Sequence, residues 1–131
     1  MPQLRLIHIA LCLSAAVLTV TLGSLRSFGP GATEPLPPIL SWTLLGLAAM
    51  TILTAATIRT GIVAVRADEQ IESWIATNRT KCVTLWAILE GGVALCAVAL
   101  FLGADPWAAG ALAAGGLGFL ASQSPGTLAG H

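Results

Sequence analysis

Apolar residues along this chain come in long runs, separated by short breaks rich in proline, glycine and charge. The runs cover 6–23, 39–58, 82–102 and 106–123, each close to the roughly 20 residues that a membrane-crossing helix needs. The breaks have their own chemistry. Phe28-Gly29-Pro30-Gly31 halts the first run, and Pro35, Pro37 and Pro38 keep the connection extended until Pro38 opens a new first turn. Gly103 closes the third run, Asp105-Pro106 reads as an N-cap followed by proline at the first helical position, and Ser124-Pro125-Gly126 stops the fourth. The pattern predicts an all-α, four-span membrane bundle with short loops, a single domain over residues 1–131.

The one sizeable polar stretch, residues 59–81, contains Ile71, Trp74 and Ile75 at i, i+3 and i+4, with Glu69, Gln70 and Glu72 elsewhere around the turn. That spacing predicts a short amphipathic connector, continuing out of the second span or lying at the membrane surface. Arg5 precedes the first run as in a signal peptide, but about twenty apolar residues exceed a typical signal core and no A-x-A site follows. The run reads as a retained helix.

Composition agrees: 56% of the 131 residues are hydrophobic and 9% are charged, against about 25% charged in a soluble domain. The net charge of zero and the scattered basic residues exclude a nucleic-acid footprint. Five of the six cations, Arg5, Arg59, Arg66, Arg79 and Lys81, fall at one end of the predicted bundle, and Arg26 alone at the other. The positive-inside rule then puts both termini and the central loop in the cytoplasm. Trp42 and Trp107 fall where helices enter from the outer face, as an aromatic belt does. Cys12, Cys82 and Cys96 show neither metal-ligand nor disulfide spacing and read as small buried hydrophobes. Small residues repeat every four positions at Ala87/Gly91, Gly92/Cys96, Ala111/Gly115 and Ala114/Gly118, spacing that lets membrane helices pack closely.

Glu90 is the exception to this apolar interior. It lies about 12 Å inside the third span at helical rise, and a charge at that depth costs roughly 2.5–3.5 kcal/mol. Either it ties helices together by hydrogen bonds, or it binds a proton or cation. Thr51 and Thr54 on the second span bracket its depth, and His8 on the first lies somewhat shallower; these are its candidate partners. No phosphate-binding loop, metal-ligand spacing or nucleophile–base pair occurs, so the sequence implies neither an enzyme nor a cofactor. Asn78-Arg79-Thr80 fits a glycosylation sequon but falls on the predicted cytoplasmic side.

The stretch Thr80-Lys81-Cys82-Val83-Thr84-Leu85-Trp86-Ala87-Ile88-Leu89-Glu90-Gly91-Gly92 resembles an uncharacterised family of small bacterial four-helix integral membrane proteins, whose third helix carries Ala-x-x-Glu-Gly after a basic turn. That resemblance implies the four-helix fold, a bacterial inner membrane and a short proline-containing tail, as at Pro125. More loosely, the stretch is similar to the second helix of the proteolipid c subunit of rotary ATPases, where a midplane carboxylate carries the transported ion. The c subunit's paired helix has closely repeated glycines, whereas residues 39–58 have only Gly46. Two functions follow as expectations. One is a non-enzymatic accessory or structural subunit, partnered by the lipid bilayer and by other membrane subunits or copies of itself. The other is a proton or cation conduit built on Glu90.

Overall fold

A computed structural model describes residues 1–28 and 37–130, and every regular element among them is helical. The order is α1 (Pro2–Phe28), α2 (Pro38–Thr60), α3 (Ile71–Phe101), α4 (Pro106–Ser122) and a single-turn α5 (Pro125–Ala129). The glycines and proline expected to break the chain at 29–31, and the extended connection at Pro35, lie outside the described residues.

The capping chemistry anticipated from the sequence is in place. Prolines open α2, and Asp105 caps α4 by accepting the Ala108 N–H at 2.9 Å. Gly103, at φ +95°, ends α3. Its own N–H bonds the Leu100 carbonyl and the Ala104 N–H bonds the Ala99 carbonyl, a pairing that needs the left-handed conformation glycine adopts without strain. Ser124 caps a further turn, so Ser124-Pro125-Gly126 both ends α4 and starts α5.

One expectation is corrected. The amphipathic connector is not a separate element: Ile71, Trp74 and Ile75 belong to the first turns of α3, which runs unbroken for 31 residues. No glycine or proline falls between Ile71 and Leu89, so nothing interrupts the helix. The irregular segment is 62–70, and the Trp74 indole holds it by donating to the Val63 carbonyl at 2.7 Å. The span count is shown in part. Three helices, over Pro2–Arg26, Pro38–Thr60 and Ile71–Phe101, are long and apolar enough to cross a membrane. The 17 residues of α4 extend about 25 Å, short of a hydrocarbon core of about 30 Å.

α3 is the central helix: α1, α2 and α4 each pack chiefly on it. Trp74, Cys82, Leu85, Trp86, Leu89, Val93, Cys96 and Ala97 on α3 are buried. α2 presents Ser41, Leu45, Ala48 and Ala55 inward, and α1 presents Leu4, His8 and Ala15. Both sets recur at spacings of three, four or seven residues, the stripe one helix turns toward a neighbour. The opposite faces of α1 and α2 expose Leu6, Ile9, Leu13, Val17, Leu47, Met50 and Leu53. In water such surface would aggregate; in a bilayer it is the surface hydrocarbon requires.

Packing among α2, α3 and α4 depends on two glycines. A Cβ at Gly116 would stand 2.8 Å from Val93 Cγ2 and 3.2 Å from Ile52 Cδ1, and one at Gly92 would stand 2.9 Å from Ile52 Cγ1. Of the four small-residue pairs, Gly92/Cys96 packs inward as expected. The other three do not: Ala87, Gly91, Ala111, Ala114, Gly115 and Gly118 are all exposed, and α4 instead turns Ala109, Ala113, Gly116 and Leu120 to the core. Because α4 is apolar all round, hydrophobicity gave no direction for its inward face.

Candidate functional site

Several polar side chains at the 5/59/81 end of the bundle, His8 and Gln123 buried and Arg59 half-buried, gather around the last turn of α4. A helix ending in an apolar surround leaves carbonyl oxygens without intrahelical donors. Here side chains from other helices add donors, at Leu120 alongside the Gln123 N–H at 3.2 Å. His8 Nε2 donates to the Leu120 carbonyl at 2.8 Å, and Trp86 Nε1 donates to the Gln123 carbonyl at 2.7 Å. Arg59 Nε donates to Gln123 Oε1 at 2.7 Å while its Nη1 donates to the Ile62 carbonyl at 3.2 Å, and Gln123 Nε2 passes a bond on to Ser122 Oγ. The His8 and Trp86 rings pack at 5.0 Å between centroids, tilted by 55°. Since a carbonyl only accepts, His8 carries its hydrogen on Nε2. The site is a satisfied polar knot joining α1, α2, α3 and α4.

The sequence reading singled out His8 but missed Trp86, Gln123 and Arg59 as its companions. One signal was available. A tryptophan deep in an apolar helix requires an acceptor for its indole N–H, and Trp86 is one such residue.

Glu90 lies one helical turn beyond Trp86 on α3 and is half-buried. Among the described residues its carboxylate makes no hydrogen bond or ion pair with the rest of the chain. The expected partners are engaged elsewhere. His8 serves Leu120. Thr51 Oγ1 donates to the Leu47 carbonyl and Thr54 Oγ1 to the Met50 carbonyl, each at 2.8 Å within α2. Back-bonding of this kind satisfies a threonine without a partner helix. Thr51 also sits against Gly92, which is two residues from Glu90 and so about 200° around α3. Thr54 is exposed. Among the described residues no hydrogen bond joins Glu90 to His8, Thr51 or Thr54.

What does lie beside Glu90 is an uncovered strip of its own helix. Thr84, Ala87, Gly91 and Val98 are exposed, and a Cβ at Gly91 would meet nothing within 4 Å. Ala87 and Glu90 are three residues apart, which puts them on adjoining surface.

Other chemistry is sparse. Among the described residues no group of three His, Cys, Asp or Glu side chains gathers as a metal would require. All three cysteines are free, Cys82 and Cys96 buried and Cys12 half-buried. Asn78 of the sequon is buried, its amide donating to the Trp74 carbonyl at 3.1 Å, so it offers no accessible acceptor for a glycan. A wide polar cleft of about 750 Å³ lies between the 61–70 segment and the start of α3, with Arg66, Asp68, Glu69 and Lys81 on its wall. Lys81 Nζ is engaged there with the Gly61 carbonyl.

No family model, no curated protein and no solved structure matches the chain.

Proposed function

We propose that this chain is a non-enzymatic integral-membrane subunit that associates with a further membrane helix, or with a second copy of itself, through the open face of α3. The observation that carries this reading is Glu90: a half-buried carboxylate without a hydrogen-bond or ion-pair partner among the described residues, beside the exposed Ala87/Gly91 strip. Small residues allow a second backbone to come close, and a carboxyl at the edge of that contact has its hydrogen-bond partner supplied by the arriving helix. The described residues of one chain leave Glu90 unsatisfied; in an assembly its cost is offset. The likeness to small bacterial four-helix membrane proteins, and the cation asymmetry between the two ends, favour a bacterial inner membrane with both termini cytoplasmic and α4 as a short fourth span. The rival conduit reading has less support, because the hydrogens of Thr51 Oγ1, Thr54 Oγ1 and His8 Nε2 go to main-chain carbonyls and not to Glu90.

The test compares Glu90→Gln with Glu90→Leu in the full chain, by cross-linking in native membranes and by affinity capture in mild detergent. The amide still donates and accepts, so Glu90→Gln keeps the association and Glu90→Leu weakens it, with helicity unchanged in both. Association unaffected by Glu90→Leu refutes this role. Proton or cation flux in liposomes that Glu90→Gln abolishes would instead establish the conduit.

A further inference from the structure

A second feature lies at the boundary between α1 and the carboxyl-terminal turn. A cleft of about 260 Å³ is bounded by Arg5, His8 and Ile9 of α1 and by Ser124, Pro125 and Gly126. His8 is 94% buried, being 6% exposed, and its Nε2 is committed to Leu120. The second ring nitrogen, Nδ1, has no hydrogen-bond partner among the described residues. Among the described residues no side-chain nitrogen or oxygen is both sealed and unpaired, so Nδ1 keeps some access to the surface, and His8 is one of the residues that line the cleft. In the neutral ring, with the hydrogen on Nε2, Nδ1 presents a lone pair. Arg5 stands three residues away on the same helix, hence on the same face. It is exposed and makes no hydrogen bond or ion pair with another described side chain.

We infer that this cleft holds the headgroup of an anionic, hydroxyl-bearing phospholipid. The Arg5 guanidinium bonds the phosphodiester oxygens in its planar fork, and His8 Nδ1 accepts a hydrogen bond from a headgroup hydroxyl. A lipid, and not a free phosphate, suits the remaining wall. Ile9 is 52% exposed and continues into Leu6 and Leu13, which are 67% and 60% exposed on the same side of α1. The apolar strip gives an acyl chain a track running down from the cationic rim. Basic pockets between membrane helices on the cytoplasmic side are the usual seats of anionic headgroups. The inference rests on the membrane reading given above but not on the association through α3.

The experiment uses the full chain, purified in detergent and supplied with equal amounts of phosphatidylglycerol and phosphatidylcholine, with retained lipid read by native mass spectrometry. The wild type keeps one phosphatidylglycerol, and Arg5→Gln retains about fivefold less; since Arg5 is exposed, the variant folds and melts as the wild type does. The His8 Nδ1 resonance, identified by its loss in His8→Asn, moves on titration with phosphatidylglycerol in the wild type and stays fixed in Arg5→Gln. Equal retention by wild type and Arg5→Gln, or a His8 resonance indifferent to phosphatidylglycerol, overturns the site. An equal response to phosphatidylcholine overturns its selectivity for an anion. An equal response to inorganic phosphate overturns the lipid assignment in favour of a soluble anion. Retained lipid is read on the single chain, so a failure to associate through α3 leaves the result legible.

Discussion

Replacing Gly116 with alanine tests whether α3 is the packing centre of the fold. The added methyl would lie 2.8 Å from Val93 Cγ2 and 3.2 Å from Ile52 Cδ1, where carbon–carbon contacts are most favourable near 3.5–4.0 Å. Neither neighbour yields cheaply. Both side chains are β-branched and stiff in a helix, and the Val93 methyl sits one bond from its Cβ. Relief therefore requires α4 to move outward by more than half an ångström, an overpacking cost of about 1–3 kcal/mol. The gain in helix propensity from glycine to alanine offsets up to about 1 kcal/mol of that. The expected net loss is about 1–2 kcal/mol. Gly115 is the internal control: a Cβ there meets nothing within 4 Å, so Gly115→Ala leaves stability unchanged or raises it. The assay is unfolding in mixed micelles with increasing denaturing detergent, followed by circular dichroism. Val93→Ala combined with Gly116→Ala should recover part of the loss beyond what the single changes predict, as contacting residues do. Gly116→Ala as stable as the wild type, or Gly115→Ala the more damaging, would refute the packing scheme.

The polar knot and the topology make further predictions. Trp86→Phe removes the donor to the buried Gln123 carbonyl and part of the ring volume, costing about 2–3 kcal/mol; Trp107→Phe, at a position 86% exposed, leaves the same unfolding curve in place. In a cysteine-free background, a cysteine at Ser27 should react with a membrane-impermeant thiol reagent applied to intact cells, and one at Ala76 should not. The reverse pattern overturns the cytoplasmic placement of residues 59–81.

The helices were legible because two signals coincide: apolar length, and breakers placed at its ends. Pro38, Asp105-Pro106 and Gly103 mark boundaries by backbone chemistry, which acts locally and survives in any surround. Rotation was not legible. Lipid and protein interior are equally apolar, so Ala111/Gly115 and Ala113/Gly116 look alike in sequence, although the first pair faces out and the second faces in. The connector failed for a related reason: three apolar positions fix a helical face but not whether that helix joins the next. Glu90 was found because a lone charge in hydrocarbon is conspicuous. Its supposed partners were not, because depth along an axis fixes height and leaves direction around α3 open; Thr51 shares roughly the height and faces another side. His8 was noticed, but the acceptor it serves is a main-chain carbonyl, which no residue identity announces.

The central position of α3 also bears on how the molecule is made. α1 and α2 are synthesised first, yet the principal partner of each is a helix that leaves the ribosome later. Until residues 71–101 arrive, their inward stripes, with His8 and Ser41 among them, face the insertion machinery or bare lipid. The order of synthesis thus opposes the order of packing, and an early pause or truncation before Ile71 would leave two threaded helices deprived of their chief mutual support, a natural substrate for membrane quality control.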